Sequence, residues 1–468
     1  MSKGYANTVN IVPSERQIEW QKTEFYGLIS YGMPVFTGKQ YGDGFTPPSM
    51  FWPEDMNTDS WCSLAKIAGM KGLVLTCKHY DGFCLWPTKH TDYSVKSSNW
   101  LDGNGDLVRM LSDSCRKYGL KFGVYIAPWD RHESSYGKGK EYDDYFCGLL
   151  TELLTDYGDI FCVWLDAVCG ENESRVQKYD WARYYSLIRK LQPDAVISFR
   201  GPDVRWSGNE KGVTRNDEWS VVPAHIGVGE NGLSVPSASK KHSLMYDRDI
   251  GSRKAIKKET EFIWYPCEVS VPMRTHWFFE EDDKYSIKTK DKLLKLYYNS
   301  VGNNSCLMLG LAPNKRGEID DTDTQILTAL GCDLKLYFGF NLLTRSKSQK
   351  ASSCYSDSTK CQNVISPELD TYWRPSDNDK KPYIEFDVSE EDFFDKITVS
   401  ENITHGQHIE ELEIHCFDAD KKKWKKVASC GTVGYKRIIN IKPAKYTAVR
   451  FVVKKYRDFF EISYVSVN

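Results

Sequence analysis

Short apolar runs alternate with amphipathic stretches from the start of the chain to about residue 335, and this alternation most restricts the fold. Tyr26–Tyr31, Leu73–Thr76, Phe122–Ile126, Ile160–Leu165, Ala195–Phe199, Phe262–Tyr265 and Cys306–Leu311 read as strands. They are short and dense in apolar side chains, as strands covered on both faces are. Ser60–Ala68, Asp106–Tyr118, Tyr142–Thr155, Tyr179–Leu191 and Lys290–Ser300 read as helices between them. Arg116-Lys117-Tyr118-Gly119 supplies a helix stop, with basic residues for the macrodipole and a glycine for the left-handed cap. Strands alternating with helices at this period imply an α/β fold with a parallel sheet, most economically a (β/α)8-like barrel over residues 1–338. Seven strands are legible, one short of closure.

Near residue 340 the texture changes. Helical periodicity stops, and Ser346–Ser353 reads as a linker. Period-2 segments follow at Tyr383–Val388, Lys396–Val399, Leu412–Phe417, Ile438–Ile441, Val449–Val453 and Ile462–Val465, implying an all-β sandwich over 345–468. Two domains also fit a length of 468 residues, more than one core usually serves.

The formal net charge is -2, with no strongly basic half, so no nucleic-acid partner is expected. No uninterrupted apolar run reaches the roughly 18 residues of a membrane span, and no membrane partner is expected. Met1–Asn7 lacks the charged-then-apolar plan of a signal peptide. The expected compartment is the cytoplasm, or the periplasm or exterior where a leader has been removed. Cys77, Cys162 and Cys306 lie in apolar runs and should act as small buried hydrophobes; no CxxC spacing occurs.

The chemistry concentrates at strand ends. Val163-Trp164-Leu165-Asp166 delivers a carboxylate on an apolar strand, where it must be paired, hydrogen-bonded or used. Gly201–Glu210 follows the next strand and ends in a second acid, with Asp203 and Arg205 as rivals to Glu210. Ser30, Lys78–Asp81 and Trp129–Arg131 end other strands and would converge on the same rim. Two carboxyls on one rim suit glycoside hydrolysis, one attacking while the other protonates and then deprotonates. The nucleophile must stay ionised, so donors should surround it. The acid must hold a proton, from a less solvated pocket or from the charge of its partner. His79 alone is as well explained by packing as by ligand binding. Gly227–Gly232 fits GxGxxG without a preceding strand or following helix and reads as a loop. His405 and His408 have metal-like spacing but no third ligand, and read as surface residues.

Together Leu75–Trp86, Ala127–His132, Tyr157–Asp166, Gly201–Glu210 and Ser300–Asn304 resemble glycoside hydrolase family 29, the α-L-fucosidases, more closely its α-1,3/1,4 branch. Thr371–Trp373 and Ile403–Gln407 resemble a discoidin-type, galactose-binding-like sandwich. The resemblance implies Asp166 as nucleophile and Glu210 as acid/base in a retaining, exo-acting enzyme without metal or cofactor, acting on fucosylated oligosaccharides or related glycans. It implies that His79, Tyr125, Trp129 and Trp219 help line the sugar subsite. The chain departs from the pattern at Ser30, where His is usual, at Gln40 and Tyr41 in place of Glu-Trp, at Tyr80 in place of a second His, and at Gly310 in place of Asn. These positions leave the machinery whole and the recognition shell altered. An α-L-galactosidase is therefore an alternative, L-galactose being L-fucose with a C6 hydroxyl. A non-catalytic glycan-binding protein is a further alternative, disfavoured by retention of both acids.

Overall fold

The computed structural model describes residues 6–166, 173–233 and 247–468. Eight parallel strands form one sheet in the first domain: Phe25–Ile29, Gly72–Lys78, Lys121–Ile126, Cys162–Leu165, Val196–Phe199, Arg205–Trp206, Cys267–Pro272 and Ser305–Leu311. The order is five-four-three-two-one-eight-seven-six, so the ring is nearly closed and has a seam without a ladder between the fifth and sixth strands. Helices Thr58–Ile67, Leu107–Tyr118, Lys140–Asp156, Trp181–Leu191, Lys290–Ser300 and Asp321–Phe338 cover the outside. Asn57, Asp106, Asp180 and Thr289 cap four of them, each side chain accepting a first-turn N–H.

Two strand assignments differ from the expectation. Phe262–Trp264 pairs antiparallel with Val221–Pro223 in a separate two-stranded ribbon, and the seventh barrel strand is the adjacent Cys267–Pro272. In that strand Glu268 and Ser270 alternate with Cys267, Val269 and Val271, so no continuous apolar run marks it. The sixth strand is two residues long, within the Gly201–Glu210 segment that ends in the second acid.

Helix Asp321–Phe338, not read from periodicity, lies in the described segment long and apolar enough for a membrane span. Leu327, Leu330, Gly331 and Leu334 are buried. A Cβ at Gly331 would overlap the carbonyl oxygen of Ile67, so this glycine permits the close approach of two helices.

The second domain is a sandwich of a five-stranded and a three-stranded sheet, both antiparallel. Its core is a separate apolar cluster around Trp373, Phe386, Ile414 and Phe451. Gln349–Ala351, inside the stretch read as a linker, forms an edge strand against Tyr383–Asp387. A second strand outside the expected set, Lys423–Cys430, has no fully buried residue and lies at the opposite edge. The thirteen described cysteines are free thiols, with Cys77, Cys162 and Cys306 buried.

The sandwich docks on the N-terminal end of the barrel. Glu24, just ahead of the first strand, pairs with Lys436 at 2.6 Å and accepts from the Tyr435 hydroxyl. Burial alone would raise its pKa, yet Lys436 and Lys71 outweigh that and lower it to about 2. Gln407 is fully buried between the domains, accepting from Ser220 N at 2.7 Å and donating to Thr432 Oγ1 at 2.7 Å. His408 is buried rather than superficial, its ring nitrogens on the carbonyls of Phe459 and Val9. His405 is exposed, and its ring meets Glu461 at 2.7 Å.

Candidate active site

A cavity of about 480 Å³ opens at the C-terminal mouth of the barrel, and both acids line it. Asp166 leaves the fourth strand immediately after Leu165. One of its oxygens, Oδ2, accepts the hydroxyls of Tyr80 and Tyr125, the latter at 2.6 Å. Burial and the charge of Asp166 raise both phenol pKa values, so the two groups remain donors. A carboxylate held by two donors is favoured in its charged form. Removing one hydrogen bond to a charged group costs about 1.5–3 kcal/mol. Tyr125→Phe should therefore lower kcat by a factor of about 10 to 150. Steady-state kinetics on an aryl glycoside tests this, and an unchanged kcat would detach Tyr125 from the chemistry.

Glu210 sits on an exposed loop after the sixth strand. Asn209 shapes that loop: its Oδ1 accepts Lys211 N and Val213 N, and its Nδ2 donates to Val213 O at 2.8 Å. The rivals are engaged elsewhere. Asp203 is buried outside the cavity, accepting from Arg16 Nε at 3.0 Å, Arg189 Nη2 at 2.7 Å and Ile197 N at 2.8 Å. Arg205 pairs with Glu218 in the interior.

Of the other expected residues, Ser30, Gln40, Tyr41, His79, Tyr80 and Tyr125 line the cavity, whereas Trp129 and Trp219 do not. Trp129 lies behind Tyr80 at a ring-centroid distance of 4.7 Å, with the Arg131 guanidinium 4.7 Å from the centre of its ring. Trp219 belongs to the domain interface, its ring under the Arg457 guanidinium at 4.0 Å. Its place in the chain, after the short sixth strand, turns it towards the sandwich and away from the mouth.

The Gln40 amide is committed to the protein. Its Nε2 donates to Glu280 Oε1 at 2.6 Å and its Oε1 accepts Phe278 N at 3.1 Å, so it braces the loop after the seventh strand. Tyr41 stands over Tyr80 with nearly parallel rings 5.8 Å apart and is 59% exposed, which leaves it free to meet a ligand. His79 packs among Tyr80, Tyr125 and Phe278. Burial first, then Lys78 and Arg131, push its pKa down to about 3, leaving a neutral imidazole. Ser30 Oγ is buried in the cavity wall without a partner among the described residues.

The walls also include Trp164, Phe199, Trp206, Ser270 and Thr275–Phe278. Trp277 stands where a side chain at position 310 would project: a Cβ on Gly310 would lie 2.7 Å from its ring. Phe199 holds φ of 65°, strained for an aromatic residue, and stacks on Trp164 at 4.4 Å. Among the described residues, His276, Glu280 and Asp283 have ligand atoms within 4.8 Å of one another. His276 Nδ1 already meets both carboxylates, at 3.1 and 3.3 Å.

Two carboxyls of unlike setting, one clasped by phenols and one on a solvent-facing loop, in an aromatic-walled cleft at a barrel mouth define a glycoside hydrolase. The alpha-L-fucosidase family profile matches residues 8–337, and the F5/8 type C domain profile matches 348–464. Alpha-L-fucosidase 1 of Arabidopsis thaliana is 35% identical over 464 residues, covering 97% of this chain and 87% of that protein. A Ruminococcus gnavus GH29 fucosidase solved in complex with fucose superposes with a TM-score of 0.86 at 27% identity, covering 98% of this chain and 95% of that one. A glycoside hydrolase 29 family member from an unknown rumen bacterium gives 0.79 at 28% identity, covering 98% and 77%. The chain belongs to the alpha-L-fucosidase family, glycoside hydrolase family 29.

Proposed function

We propose that the protein is an exo-acting, retaining α-L-fucosidase that removes terminal α-1,3/1,4-linked fucose from glycans. The observation that carries the reading is the Asp166 carboxylate, held by two tyrosine hydroxyls in the cavity that Glu210 also lines. An Asp166 oxygen attacks the anomeric carbon as its bond to the leaving oxygen breaks, and Glu210 delivers a proton to that oxygen. Glu210, now a carboxylate, takes a proton from water. That water attacks the anomeric carbon, breaks the bond to Asp166 and releases sugar of unchanged configuration. The Arabidopsis relative's name and the fucose held by the Ruminococcus enzyme support fucose as the sugar.

Ser30 favours a second reading on sugar identity. Its unpartnered hydroxyl can meet a substrate hydroxyl, as the C6 group of α-L-galactose would require. Paired assays of aryl α-L-fucoside and aryl α-L-galactoside separate the two, with the fucoside expected to have the higher kcat/KM. A galactoside preference would reassign the sugar. Proton NMR of the first product is expected to show the α anomer; the β anomer would overturn retention.

A further inference from the structure

The barrel interior holds a carboxyl that the reaction above does not use. Glu268, on the seventh strand, is fully buried and has no cationic partner among the described residues. Its Oε1 accepts Trp164 Nε1 at 2.7 Å and Ser270 Oγ at 2.7 Å. Its Oε2 accepts the Tyr26 hydroxyl and Ser198 Oγ, the latter at 3.2 Å. Four side-chain donors from four strands thus meet on one group. Enclosing a carboxyl here carries a desolvation cost that an apolar side chain would avoid. A packing role alone gives no reason for it.

Alternate residues of a strand share a face. Ser270 therefore lies one layer above Glu268, and Asp166 one layer above Trp164. Ser270, Trp164 and Asp166 all line the cavity. The Trp164 ring stacks on Tyr125 at 5.2 Å and 14°, and the Tyr125 hydroxyl donates to Asp166 Oδ2. The sequence of contacts runs from Glu268 to the Trp164 N–H, through the stacked rings, to the acid at the reaction centre.

We infer that Glu268 is a positioning residue: it fixes the rotation of Trp164, and the stacked Trp164 and Tyr125 rings carry that setting to the hydrogen bond on Asp166. This rests on the fucosidase reading. Glu268 touches neither sugar nor leaving group. Its removal frees the indole to turn, weakens the Tyr125 bond and makes Asp166 easier to protonate.

The test compares wild type with Glu268→Gln, Glu268→Leu, Trp164→Phe and the double variant Glu268→Leu/Trp164→Phe on 4-nitrophenyl α-L-fucoside across the active pH range. Wild-type turnover alone judges the fucosidase reading; ratios to wild type judge Glu268. Glu268→Leu and Trp164→Phe should each lower kcat by about 30-fold, more than they change KM. Each should move the acid limb of kcat/KM upward by about half a pH unit, which mere loss of folded protein would not do. The double variant should lose little more than either alone, since both break one tether. Glu268→Gln can turn its carbonyl to Trp164 and its amide to the Ser198 and Tyr26 oxygens, and should lose only about threefold. Where Glu268→Leu does not fold, Trp164→Phe decides, since it keeps a ring and deletes the N–H. Losses that multiply, an acid limb unmoved in Trp164→Phe, or a Gln variant as slow as Leu would each overturn the inference.

Discussion

Asp166→Ala should lower kcat/KM on an aryl α-L-fucoside by at least about 10⁴-fold, the scale on which removal of a nucleophile registers. The rest of the cleft would remain, including Tyr80, Tyr125, His79 and the aromatic walls, so binding of free fucose should persist. Added azide should enter the vacated side and yield the β-fucosyl azide, with inversion in a single displacement. Asp166 is 8% exposed and receives two phenol hydroxyls, so its loss leaves two buried donors rather than a surface gap. A thermal midpoint on the variant therefore belongs beside the kinetics. A folded variant with more than a hundredth of the wild-type rate would remove Asp166 from the role.

Glu210→Gln should separate substrates by leaving group. Protonation by a positioned acid contributes about 10² to 10⁴-fold, and an oligosaccharide's sugar hydroxyl needs it most. A fucosyl oligosaccharide should lose activity on that scale, whereas an activated nitrophenyl fucoside should lose about tenfold or less in its first step. The loop position of Glu210 makes gross misfolding an unsuitable explanation: the residue is exposed, and Asn209 holds the turn beside it. Equal losses on both substrates would reject Glu210 as the proton donor. Asp203 is no ready substitute, because Arg16 and Arg189 already occupy its oxygens inside the protein.

Asp166 is legible because an apolar run brings its buried strand to the mouth, whereas Glu210 follows a two-residue strand with no such run. Val163-Trp164-Leu165 announces Asp166 in that way, and the tyrosines on Asp166 sit at the ends of the second and third strands. The seventh strand escapes a hydrophobicity pattern because a small barrel can turn polar side chains inward. Glu268 and Ser270 interrupt the hydrophobicity that marks its neighbours, while the nearby ribbon Phe262–Trp264 offers a stronger local signal. Losing that strand hid the loop after it, and with it Thr275–Phe278 in the cavity wall. Trp219 shows the limit of motif transfer, since its ring direction depends on a domain contact that spacing does not encode.

The seam in the barrel has a mechanical consequence. Asp166 grows from a strand laddered on both sides, while Glu210 hangs from a two-residue strand laddered on one side only. Asp166 is thus anchored in a part of the ring laddered on both flanks, and Glu210 rides on a tether. On the roles proposed above, insertions near Asn209 would shift Glu210 to suit leaving groups of different bulk without disturbing Asp166, which would make this turn the place to alter aglycone choice.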